Sequence, residues 1–205
     1  VLFRSDASAV DLDLFWRGWF YTTDYVDIGV KEVKKFYVSS EPNAEMKKYM
    51  EDRNVTEADF PPLVYLVEES SEDFNENLKG KAPSETSKNL KEFMMDNMTA
   101  EERAQVKEPK YFYEITFDKP GGIPMPLIVE YTYADGTKES ITYPAEIWRK
   151  NDSEVTRVMA TEKELTNIVI DPKLETADID TENNSWPKKE EKSDFSKFKD
   201  SIKGK

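Results

Sequence analysis

Apolar and polar residues alternate along this chain with two different periods. Near the start, Leu12, Phe15, Trp16, Trp19 and Phe20 recur at helical spacing on one face. Asp6 and Ser8 are N-cap types ahead of them, and Asp11 and Asp13 suit the first turns of a helix. The pattern predicts one amphipathic helix over residues 9–21, broken by Thr22-Thr23-Asp24. Val26, Ile28 and Val30 then alternate with Asp27 and Gly29, which predicts a strand running on toward Val38. From Tyr111 onward the period is two throughout. Tyr111, Tyr113, Ile115 and Phe117 share one face, as do Leu127, Val129, Tyr131 and Tyr133. Pro120-Gly121-Gly122 reads as a turn, and Ala134-Asp135-Gly136 carries a hairpin signal. A further strand is expected at 140–143, extended by 146–149, with two more at 155–159 and 165–170. Short strands joined by hairpins predict an α+β, mainly β chain: a leading helix, then an immunoglobulin-like antiparallel β-sandwich.

Between about residues 39 and 109 the character changes. Ser40-Glu41-Pro42 opens a helix whose stripe is Met46, Tyr49 and Met50. Leu63–Val67 is a short apolar run of undetermined type. Residues 84–98 read as a helix, and Thr99-Ala100-Glu101-Glu102 as a capping box. This polar stretch, bounded by Pro42 and Pro109, is expected to be a helical insertion within a sandwich spanning 23–187. Residues 188–205 are almost entirely charged or Ser, with only Phe195, Phe198 and Ile202 apolar, and are expected to be a disordered tail. Val1–Ser5 match the translated end of a sequencing adapter and are read as an artefact of an incomplete gene, so they are set aside from the fold.

Composition narrows the chemistry. The chain has no histidine and no cysteine. The commonest general base, zinc–imidazole ligation, thiolate chemistry and disulfides are therefore all unavailable to it. Its 42 acidic and 29 basic residues leave a net charge of −13. A body this acidic repels phosphate backbones and anionic membrane surfaces, so nucleic acid is not an expected partner. No stretch approaches the length of a membrane-spanning helix, and no membrane insertion is expected. The lack of cysteine leaves the compartment open, and a periplasmic or exported parent protein is compatible with it.

Several residue groups have the composition of a site. Asp178, Asp180 and Glu182 alternate as in a calcium loop. However, Asn183 and Asn184 stand where its glycine belongs and no closing Glu follows, so a solvated loop is the simpler reading. Glu68, Glu69, Glu72 and Asp73 form an acidic run with no apolar shield, which reads as a solvated face. Tyr111, Tyr113, Tyr131, Tyr133 and Trp148 suggest a carbohydrate platform, but aromatics at period two are more often core. The face formed by Leu12, Phe15, Trp16, Trp19 and Phe20 holds more apolar area than a short helix can leave in water. It is expected to dock, either on this domain or on a neighbour.

The segments AVDLDLFWRGWFYTTDYVDIGV, YEITFDKPGGIPMPLIVEYTYADGTKESITYPAEIWRKND and IVIDPKLETADIDTENNSWP resemble the C-terminal part of aminopeptidase N-like zinc metallopeptidases (gluzincins), especially Bacteroidetes versions. The resemblance covers roughly residues 11–38 and 111–187. It implies that residues 6–22 close a catalytic domain and that the sandwich follows it. It further implies a parent enzyme that removes N-terminal residues from peptides, using a zinc held by a His-Glu-x-x-His helix and a distant Glu. None of those motifs is present here. No catalytic or zinc-binding residue is carried over, and no cofactor is expected in this segment. The expected partner is an upstream catalytic domain, with peptide as substrate of the parent. The competing reading, from a different class, is a free-standing β-sandwich module that binds a protein or a glycan.

Overall fold

The computed structural model describes residues 13–188. Leu12, the caps expected at Asp6 and Ser8, Asp11, the five opening residues and all of the charged tail but Lys188 lie outside them. The described chain is a mainly β, α+β fold with two antiparallel four-stranded sheets. In chain order its elements are α1 (Asp13–Tyr21), β1 (Gly29–Ser39), α2 (Ala44–Arg53), β2 (Tyr65–Glu68), α3 (Pro83–Thr86), α4 (Lys88–Asn97), α5 (Ala100–Gln105), β3 (Tyr111–Asp118), β4 (Leu127–Tyr133), β5 (Lys138–Tyr143), β6 (Glu154–Thr161), β7 (Leu165–Ile170) and β8 (Ser185–Trp186). One sheet has the order β2-β1-β3-β6, the other β5-β4-β7-β8. Two compact units are present. The first holds residues up to Val33, Ile115–Arg157 and the chain from Leu165; the second holds Lys34–Glu114 and Val158–Glu164. β1, β3 and β6 each contribute residues to both.

The first unit contains α1 and the whole of the second sheet. β4 and β5 form the expected hairpin, in register from Leu127↔Tyr143 to Thr132↔Lys138. Its turn needs Gly136 at φ +81°, and the Asp135 carboxylate accepts from the Thr137 N–H at 3.0 Å. β7 pairs with the other side of β4, from Val129↔Ile170 to Tyr133↔Leu165, with an irregularity at Thr132/Tyr133. Period-two alternation sends Ile115, Phe117, Leu127, Val129, Tyr131 and Ile168 inward, each at most 1% exposed. Burying each such side chain contributes about 1.5–3 kcal/mol before entropy is charged against it.

Two local expectations are corrected in this unit. Val26, Ile28 and Val30 are buried, but so are Asp27 and Gly29 between them, and the ladder begins only at Gly29. Tyr25 and Val26 instead make single parallel bridges to Gly122 and Asp178, because loops rather than strands lie beside them. Residues 145–149 do not extend β5; they form a 3-10 turn. Pro144 has no N–H to continue a ladder, and its carbonyl accepts from the Ile147 N–H. The turn tucks Trp148 inward to 2% exposure, where its indole N–H donates to the Met125 carbonyl at 3.0 Å.

The second unit contains the α-helices α2 to α5. β1 and β2 pair in register from Phe36↔Glu68 to Ser39↔Tyr65, so the apolar run at 63–67 is mostly strand. Tyr37, Val38, Val67 and Tyr113 form its buried centre, with the Tyr37 ring 5.4 Å from Phe74 and 6.3 Å from Tyr111. The helices bury no residue fully, and α2, α4 and α5 start on side-chain caps from Asn43, Ser87 and Thr99. Asn43 accepts from the Met46 N–H at the start of α2, and left-handed Asn54 ends it. The single helix expected over 84–98 is two. The Ser87 hydroxyl accepts from the Leu90 N–H, so Ser87 caps α4 rather than continuing α3.

Candidate docking surface of the aromatic helix

α1 is short, and its aromatic rings are spaced by four. Phe15 and Trp19 lie 5.9 Å apart and Trp16 and Phe20 5.6 Å apart, while neighbouring Phe15 and Trp16 meet edge-on at 5.1 Å. These are the one-turn pairs a helix surface brings together. The side pressed onto the first unit runs through Gly18. That residue is buried, and a Cβ built there would stand 3.4 Å from the Ile123 side chain. The helix ends where the Thr22 hydroxyl donates to the Gly18 carbonyl at 2.8 Å.

The predicted face is therefore divided. Phe15 and Trp16 are half-buried, whereas Trp19, Phe20 and Tyr21 are 42%, 67% and 74% exposed. Taking about 200 Å² for an aromatic side chain, these three leave roughly 350–400 Å² of aromatic surface in water. That matches the largest apolar patch of a typical monomer, which is often functional. Gly18 is not legible as a contact in the sequence, because a glycine carries no hydrophobic signal. Its position three residues after Phe15 was the available hint.

The acidic loop before β8 is built as a set of main-chain struts. Asp171, 2% exposed and left-handed, accepts from the Glu175 and Thr176 N–H groups and the Thr176 hydroxyl. Asp178 accepts from the N–H groups of Ile28 and Asp180 and from the Asn184 amide. Asp27 accepts from the Asn183 amide at 2.7 Å. Burial pushes the Asp27 carboxyl above the usual carboxylate range, the negative charges of Asp178, Asp180 and Asp118 add to this, and the Asn183 bond opposes it. Burial likewise raises Asp178, against the hydrogen bonds it receives. Among the described residues no three His, Cys, Asp or Glu side chains converge to hold a metal ion.

The other candidates resolve individually. Glu69 accepts from the Tyr37 hydroxyl at 3.2 Å and pairs with Lys79 at 3.3 Å, while Glu72 and Asp73 are exposed. Tyr113, Tyr131 and Trp148 are at most 2% exposed, and Tyr111 and Tyr133 are half-buried. The three buried rings are core and offer no face to a sugar. Among the described residues no helix is long and apolar enough to cross a membrane. Comparison with family profiles, curated proteins and solved structures finds no match to this chain.

Proposed function

We propose that this chain is the non-catalytic C-terminal part of an aminopeptidase N-like zinc metallopeptidase, where it braces the catalytic domain and shapes access to its cleft. The observation that carries the reading is the exposed aromatic rim of α1. Trp19, Phe20 and Tyr21 offer a docking surface, and the helix that bears them is held to its own unit through Gly18. The resemblance of residues 11–38 and 111–187 to the end of such enzymes supports the identity of the partner. On this reading the sheets correspond to the immunoglobulin-like sandwich of that family. Zinc and the peptide-cleaving residues belong to the catalytic domain, since the chain itself has no histidine. The gene settles the point: its reading frame should encode a His-Glu-x-x-His motif upstream of this segment. The purified chain should not hydrolyse an aminoacyl anilide when zinc is added. A frame lacking the motif, or zinc-dependent turnover by the chain alone, would overturn the proposal.

A further inference from the structure

In the second unit, α2 and the strand β2 enclose an open groove of about 540 Å³. Its wall is mostly apolar, from Met46 and Tyr49 on the helix and Leu63, Val64 and Leu66 on the strand side. Leu66 and Tyr49 are each 40% exposed. β2 is the last strand of its sheet. The pairing fixes which backbone groups face the groove. The Glu69 N–H donates to the Lys35 carbonyl, and Tyr37↔Val67 lies on the same diagonal of the register. In an antiparallel ladder, alternate residues bond to the partner strand and those between point away. Val67 and Tyr65 therefore bond to β1, while Leu66 turns its N–H and C=O outward. Glu68 does so too, but its carbonyl is taken by the Ser71 N–H.

From this arrangement we infer that the groove binds an extended peptide, added as a further strand along Leu66, with an apolar side chain against Tyr49 and Met46 and a basic residue toward Glu45. An outward edge demands an extended backbone as its partner, and the apolar wall takes alternate side chains. Glu45 is the one charged residue among those lining the groove, so a cationic group is the complement. Arg53 stacks over the Tyr49 ring at 4.1 Å near the other end of α2, which places the basic residue at the Glu45 end.

The probe is a blocked, labelled peptide of about six residues alternating valine and serine, with one lysine near an end, a length matched to a short strand. Fluorescence anisotropy should show saturable binding to the chain. N-methylating alternate peptide amides should weaken it by about tenfold or more, the effect of losing one or two backbone hydrogen bonds. Leu66→Pro should weaken it similarly while leaving the circular dichroism and melting unchanged, because the lost N–H is outside the β1 ladder. Glu45→Lys should weaken the lysine peptide and favour its glutamate counterpart. Absence of saturable binding at millimolar peptide, or equal binding of the N-methylated peptide, overturns the inference. So does a concentration-dependent dimer of the wild-type chain that Leu66→Pro dissolves, since the edge would then pair with a second copy. If Leu66→Pro does not fold, the N-methylated peptide with wild-type protein decides alone.

Discussion

Gly121→Ala gives the sharpest check on how the segment after α1 is fastened at Tyr25 and Asp27. A Cβ at residue 121 would lie 2.3 Å from the Tyr25 carbonyl oxygen and 2.7 Å from the Asp27 nitrogen. Ordinary contact begins near 3.4 Å, so the two backbones must part by 3.4 − 2.3 = 1.1 Å. Neither obstacle is a flexible side-chain tip, so nothing yields cheaply. Three backbone bonds span this gap: Tyr25 N–H to Gly121 C=O at 2.9 Å, Ile123 N–H to Tyr25 C=O at 3.2 Å, and Gly121 N–H to Asp27 C=O at 3.4 Å. At about 0.5–1.5 kcal/mol each, their loss costs roughly 2–4 kcal/mol. Alanine returns about 0.4–1 kcal/mol by stiffening the unfolded chain. A net loss of about 2–3 kcal/mol is expected, read from urea unfolding followed by circular dichroism. Gly136→Ala is the internal control. It meets nothing within 4 Å but holds φ +81°, so it should cost only about 1–2 kcal/mol of left-handed strain. Equal losses at the two positions, or a smaller loss at Gly121, would refute the close-approach argument.

Trp148→Phe should cost about 2 kcal/mol in the same assay, from the cavity and from the Met125 carbonyl left without its indole donor; a loss under about 0.5 kcal/mol would mean that the turn is not a packing anchor. For pH, the sign follows from the raised carboxyls of Asp27 and Asp178. The folded state then holds their protons more tightly than the unfolded state, so the penalty for charging them is present at neutral pH. It is relieved as the pH falls through the raised folded values. Melting temperature should rise on mild acidification, and Asp27→Asn should flatten that rise; an unchanged profile would remove Asp27 as its source. The exposed caps Asp59 and Glu102 shift the other way, lowered by bonds from Thr56 and Thr99, so their share is lost only in stronger acid. Finally, Trp19→Ser with Phe20→Ser should reduce binding of an apolar dye without lowering the melting temperature; strong destabilisation would show that the rim is packed within this chain.

The sequence by itself determined the period-two strands and their inward faces. Tyr113, Ile115, Leu127, Val129 and Tyr131 are buried as their spacing requires, because alternation decides which face of a strand meets the core. It also determined the Asp135-Gly136 hairpin and the Thr99 capping box, which are local hydrogen-bonding preferences. The absence of histidine and cysteine limits the available chemistry whatever the fold. The tertiary structure decided what depends on distant neighbours. It turned residues 145–149 into a 3-10 turn, since the Trp148 indole has a partner in Met125, far back along the chain. It aimed the carboxylates of the acidic loop at main-chain N–H groups, and no spacing rule specifies such a loop's path. It also divided the face of α1 into half-buried Phe15 and Trp16 and exposed Trp19 and Phe20. Helical periodicity gives an apolar face its angular position, but only packing across Gly18 and Ile123 selects which part of that face meets the protein and which meets water.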